Sequence, residues 1–125
     1  MRKKIDLKKY KVWLNSTDSY QRGIAVAIIW HMGIRDDEID QSTARILRTD
    51  DQISIRRDAV RMIAGYKDKK FKDVLIEALD DEDWCVRGEA FREIKFLRIK
   101  YRKIPRVKQF INEEVHPFCR WCIDH

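Results

Sequence analysis

Glycine and proline are scarce: the 125-residue chain has four of the first and two of the second. Tight hairpins and flexible linkers draw on both, so an all-β architecture and an interdomain linker are disfavoured, and residues 1–125 are read as a single domain. No stretch of about 18 apolar residues occurs, so neither a membrane-spanning helix nor a membrane partner is expected. Arg2, Lys3 and Lys4 make a basic start, but no apolar segment follows that would serve as a signal core, which argues against export. Cysteine is limited to Cys85, Cys119 and Cys122. An odd number without a signal segment points to free thiols in a reducing, cytoplasmic compartment. Also missing are a glycine-rich phosphate loop, a nucleophile elbow and a recognisable catalytic triad. The chain is therefore read as non-enzymatic, with no cofactor.

What is plentiful is charge. Charged residues make up 38% of the chain and apolar ones 44%, a balance that suits amphipathic helices with solvated outer faces. The net charge of +6 is unevenly spread: residues 1–12 carry +5 and residues 92–108 carry +7, against −4 over 13–91 and −2 over 109–125. Two basic blocks around an acidic middle point either to an anionic partner or to an ordinary solvated helical surface.

The apolar period is helical throughout, with Val86, Ala90 and Ile94 along one face as the clearest case. Helices are expected at 5–14, 18–33, 37–48, 53–65, 69–79, 83–102, 105–112 and 116–124. Gly33 and Gly65 fall at C-cap positions, and Pro105 and Pro117 in first turns. Three segments align, 14–25, 49–59 and 79–90. In each an Arg precedes an Ala by three: Arg22 and Ala25, Arg56 and Ala59, Arg87 and Ala90. The arginines are 34 and then 31 residues apart, a two-helix period. A small Ala lets paired helices approach closely. The acids ahead of each second helix satisfy free N–H groups at the positive dipole end, and the Arg is expected to pair with such acids across neighbouring repeats.

The run Asp80-Asp81-Glu82-Asp83-Trp84-Cys85-Val86-Arg87-Gly88-Glu89-Ala90 follows an amphipathic helix marked by Val74, Leu75, Ala78 and Leu79, and together they resemble a HEAT-type repeat. With the other two segments the resemblance covers about residues 7–98. It implies an all-α fold: a short α-solenoid of about three HEAT-like helical hairpins plus a C-terminal capping helix pair. It also implies a concave face lined by the second helices, and no particular activity. Residues 83–90 are similar, too, to the Trp-x-x-Arg-x-x-Ala segments of HEAT-like alkylated-DNA glycosylases. This chain is far shorter than that family, and no residue maps onto its catalytic Asp.

Four constellations are candidates for function. Arg92, Lys95, Arg98 and Arg102 share one side of the helix expected over 83–102, opposite Phe91, Ile94, Leu97 and Tyr101, while Arg57 and Arg61 share a side of the preceding second helix. On a concave surface these cations would form a continuous positive strip; on the outside they are snorkelling, solvated side chains. Residues 23–32 are apolar almost all round, which predicts burial or, failing that, an interface such as a homodimer contact. His116, Cys119, Cys122 and His125 recur every three residues and suggest zinc, but on a regular helix they span about 13 Å, too far for one ion. They are read as packing at a cap, with no metal. The acids at 80–83 lack the spacing and central glycine of a calcium loop and are read as helix caps.

The leading reading is an interaction module that binds a protein partner, of adaptor, inhibitor or immunity type, through its concave helical face. Trp84, Trp30 or Tyr66 would be the aromatic anchors, and Arg57, Arg61, Arg92, Lys95, Arg98 and Arg102 would steer an acidic partner. The alternative is nucleic-acid binding through the same cations, distantly like the glycosylases.

Overall fold

The computed structural model describes residues 6–125. The basic start Arg2-Lys3-Lys4 and the helix start expected at residue 5 lie outside the described residues. Among the described residues there are eight α-helices and no strand: α1 Leu7–Leu14, α2 Ser19–Met32, α3 Asp37–Thr49, α4 Ile53–Tyr66, α5 Lys72–Glu77, α6 Trp84–Phe96, α7 Pro105–Glu113 and α8 Pro117–Asp124. Short 3-10 turns flank α5 at Lys69–Phe71 and Ala78–Asp80, so the single helix expected over 69–79 is broken into three pieces. α1/α2, α3/α4 and α5/α6 pack as hairpins, and the second helices stack in order, α2 on α4, α4 on α6 and α6 on α8. The fold is the short all-α solenoid expected. Its closing pair sits with α8 against α6 and with Phe110 of α7 against Phe91, ring centres 5.3 Å apart.

The helix starts follow from local chemistry. Asp6, Asp18, Asp36 and Asp83 each accept a hydrogen bond from a backbone N–H of the first turn, and His116 does the same for α8 through Nδ1. Ala25, Ala59 and Ala90 have no exposed surface, in keeping with close approach of the helices at each.

One arrangement recurs at every junction. Arg22, Arg56 and Arg87 each donate from Nη1 to the carbonyl six residues upstream: Ser16 at 3.0 Å, Asp50 at 2.7 Å and Asp81 at 3.0 Å. The remaining edge of each guanidinium forks onto a carboxylate of the next repeat, with Nε 2.8 Å from Asp50, 3.0 Å from Asp81 and 3.0 Å from Glu114. Each of those acids is in turn the residue whose carbonyl serves the following Arg. The fork is bidentate and largely dry, the geometry in which Arg–carboxylate pairs are strongest. Arg120 echoes the series in α8, with Nη1 donating mainly to the Ile111 carbonyl at 2.5 Å and lying 3.4 Å from the Glu114 carbonyl. The capping pair is thus built on the same plan as the repeats it closes.

A second recurrence lies eleven residues after each of the first three ladder arginines. Gly33, Lys67 and Arg98 all adopt left-handed backbone, with φ of 64°, 50° and 57°. Glycine does so freely; the two cations are strained by about 1 kcal/mol or more each. The turn after α4 is therefore made by Lys67 and not by Gly65, which lies within the last turn of the helix. The turn after α6 corrects a larger expectation. A helix over 83–102 was predicted, but it stops at Phe96, Arg98 turns the chain, and Tyr101–Lys103 form a separate 3-10 turn. Leu97, Ile99, Tyr101 and Ile104 still contact the core, so the apolar spacing persists through the turn and disguises it. Nothing but an arginine in a glycine's conformation marks the break.

Glu93 is the odd group of the core. It is 3% exposed and its Oε1 has no hydrogen-bond partner. Burial raises its pKa from 4.5 to about 7, and Lys67 offsets the effect only in part.

Three expectations follow. Arg56→Ala strips Asp81 and the Asp50 carbonyl of their buried donor and lowers stability by about 3–5 kcal/mol in urea unfolding. A Cβ at Gly88 would overlap the Phe118 ring, whereas one at Gly23 meets Ile55 at 3.7 Å. Gly88→Ala is therefore destabilising by about 1–3 kcal/mol and Gly23→Ala stabilising by about 0.5–1 kcal/mol. For Glu93, the folded state binds the extra proton between pH 4.5 and about 7. Its contribution is thus fully present below the ordinary pKa and is lost as pH rises through the folded one. Glu93→Gln is expected to raise stability by about 2 kcal/mol near pH 8 and to change it little near pH 4.5, as read by urea unfolding at both.

Candidate functional site

The second helices form one continuous layer, and each of the first three begins with a large exposed apolar side chain. Tyr20 opens α2 at 73% exposure, Ile53 opens α4 at 41% and Trp84 opens α6 at 39%. They fall two or three residues before the ladder Arg, in the first turn of each helix. Trp84 is held from several sides. Its ring stacks on His116 with centres 4.7 Å apart, meets Phe118 edge-on at 5.3 Å and carries the Arg57 guanidinium at 5.2 Å. Its carbonyl accepts from the Cys119 thiol at 3.3 Å.

The cations around it are largely committed within the fold. Arg57 forks onto Asp83 at 2.6 and 2.8 Å, and this pairing holds the Asp83 carboxyl below its usual range. Arg61, exposed on the next turn, approaches the Cys85 sulfur at 3.5 Å and Asp58 at 3.9 Å. Arg92 is exposed with Glu89 3.8 Å away, and Lys95 donates to the carbonyl of Cys122 on α8. Arg57, Arg61, Trp84, Arg92 and Lys95 thus share the α4–α6–α8 layer. Arg98 and Arg102 do not, because the helix that was to carry them ends at Phe96; the four-member stripe is corrected to a two-member one. With Arg57 matched by Asp83 and Lys95 capping a carbonyl, the expected continuous positive strip is not formed.

Residues 23–32 divide by face. Ala25, Val26 and Ile29 are buried, while Trp30 and Met32 stay 42% and 51% exposed at the C-terminal end of α2. The C-terminal His/Cys series separates in the same way. His116 and His125 stand at opposite ends of α8, each stacked on a tryptophan, Trp84 and Trp121. Cys119 and Cys122 point into the core, and burial pushes the Cys119 thiol up to about 11, which keeps it protonated and unreactive. Among the described residues no group of three or more His, Cys, Asp or Glu side chains could hold a metal ion.

Sequence reasoning passed over two features. The ladder acids Asp50, Asp81 and Glu114 stand six residues before Arg56, Arg87 and Arg120, a spacing visible in the chain that would have put the last pair in register. The second is the pair Tyr20 and Ile53, exposed in first turns as Trp84 is, with Ile53 at the same place relative to its ladder Arg and Tyr20 one residue nearer.

The family model for HEAT repeats matches residues 41–123, from α3 to α8. No curated protein and no solved structure matches the chain. HEAT repeats commonly serve as protein-interaction modules and are generally non-catalytic. No helix among the described residues is long and apolar enough to cross a membrane.

Proposed function

The chain belongs to the HEAT-repeat family, and from that premise we propose that it is a non-enzymatic module that binds a protein partner on its second-helix layer. The observation that carries this reading is the row of Tyr20, Ile53 and Trp84, one exposed apolar side chain at the start of each successive second helix. Trp84 is preorganised by His116, Phe118 and Arg57, so little side-chain freedom is lost when it docks. Exposed Arg61 and Arg92 flank the row and supply a polar rim suited to carboxylates. The second helices pack more closely on one another than the first helices do, which favours their lining the inner curve. Binding would then be shape-complementary docking of an acidic-rimmed surface, in an adaptor, inhibitor or immunity role within the cytoplasm. Trp30 and Met32 extend the same layer, and a second copy of the chain is one candidate occupant there.

Nucleic acid is the weaker occupant for this face. Arg57 is neutralised by Asp83 and Lys95 is spent on a carbonyl, so few charges remain to displace counterions.

Affinity purification from the native host, with and without nuclease, tests the reading against a Tyr20→Ala, Ile53→Ala double variant. The parent is expected to retain a protein at moderate salt after nuclease treatment. The variant is expected to lose it, by about 2 kcal/mol or more of binding energy, while its unfolding free energy stays within about 1 kcal/mol of the parent. Recovery of nucleic acid alone, or equal recovery of the protein by parent and variant, would sink the proposal.

A further inference from the structure

We propose that the solenoid edge formed by the turns after α4 and α6, at the opposite ends of these helices from Ile53 and Trp84, binds single-stranded nucleic acid through its phosphates and bases. The supporting juxtaposition is of exposed Lys67 and Arg98 with the exposed ring of Phe96, continued along the chain by exposed Lys100, Arg102 and Lys103, with the Arg102 guanidinium 5.5 Å from the Tyr101 ring. Lys67 and Arg98 occupy equivalent corners of adjacent repeats. Lys67 Nζ lies 5.7 Å from the centre of the Phe96 ring, two residues from Arg98, which brings the two corners together. From Ile94 to Asn112 the chain carries no acid at all. Asp68, next in the chain to Lys67, is bonded to Arg35, and Glu93 is buried. Arg22, Arg56, Arg57, Arg87 and Arg106 are each matched by a carboxylate, whereas none of the five cations of this edge has an ion pair among the described residues.

Two observations set the edge apart from an ordinary solvated surface. The first is conformational. Both corner cations hold left-handed backbone, a conformation that Gly33 supplies without strain at the corresponding corner of the first repeat. Strain kept at two adjoining corners is the mark of a position held for its side chain. The carbonyl ends of α4 and α6 favour one cation each, but the helix dipole accounts neither for Lys100, Arg102 and Lys103 beyond the corner nor for the aromatic between them. The second is Phe96 itself, a large apolar ring left 57% exposed beside Lys67. Cations tracking a backbone, with a ring on which a base stacks, are the chemistry of sequence-tolerant single-strand binding. An acidic protein would use the charges and leave the ring idle.

The test is fluorescence anisotropy of the full chain with a fluorescein-labelled oligothymidylate over a salt series. The parent is expected to bind with micromolar affinity at low salt, with log K falling against log salt at a slope of about −3, roughly −0.7 for each of four or five phosphates. Lys67→Gly with Arg98→Gly removes both corner cations while relieving the backbone, so the melting temperature should hold or rise. Affinity should fall roughly tenfold and the slope shrink by about 1.4. Phe96→Ala should weaken binding about fivefold or more with the slope unchanged. Lys8→Gln with Lys9→Gln, exposed on α1 at the far end of the array, should leave binding as it was. An affinity of the parent weaker than about 0.1 mM at low salt would overturn the proposal. So would unaltered binding by a folded double-glycine variant, or a loss in the Lys8, Lys9 variant equal to that at the corners. Displacement by polyglutamate as effective as by unlabelled oligothymidylate would also overturn it, and would assign the edge to acidic proteins.

Discussion

Each junction of this solenoid rests on one guanidinium with two obligations. The Nη1 of Arg22, Arg56 or Arg87 fixes the turn of its own hairpin, and the opposite edge fixes the turn of the next. Because the accepting acid sits at the head of the following second helix, the contact sets the spacing of repeats as well as their attraction. The core beneath is generic by comparison: alanines at the closest approach, branched aliphatics around them, and the Phe91–Phe110 pair under the closing helices. Apolar surface drives the stacking, and the ladder decides the register in which it happens.

Much of this was legible in the chain because the ladder is written in short-range spacing. An Arg three residues before an Ala, with acids just upstream, recurs at near-constant intervals, and the expected pairing across repeats follows from the need to satisfy a buried Arg. The boundaries of α2, α3 and α4 came out close for similar reasons, since Asp18, Asp36 and Gly33 are ordinary cap residues. The end of α6 was illegible. Leu97, Ile99, Tyr101 and Ile104 keep helical-looking spacing through a turn made by Arg98, and no local rule assigns a left-handed corner to arginine. The basic stripe failed with it, because its geometry assumed a helix that is not there.

The candidate face was half visible. Trp84 and the arginines of α4 and α6 are where the helical reading placed them. What spacing cannot show is commitment: that Arg57 belongs to Asp83, that Lys95 belongs to a carbonyl, and that two histidines with ligand-like spacing belong to two tryptophans. Charge counted along a chain is an upper limit on charge offered to a partner. The same accounting moves the surplus cations from the layer of the second helices to the edge between repeats, so two surfaces of different character emerge from what had looked like one.

The ladder also has a direction. At the first turn the place of the accepting acid is taken by Ser16, whose hydroxyl is engaged by Gln21 and the Asp18 amide. At the last, Arg120 keeps its guanidinium and has only Asp124 of its own helix at 3.6 Å for the outward fork. A duplicated hairpin grafted beyond α8 would find a donor already in position, while one grafted ahead of α1 would meet a hydroxyl that answers to its own turn.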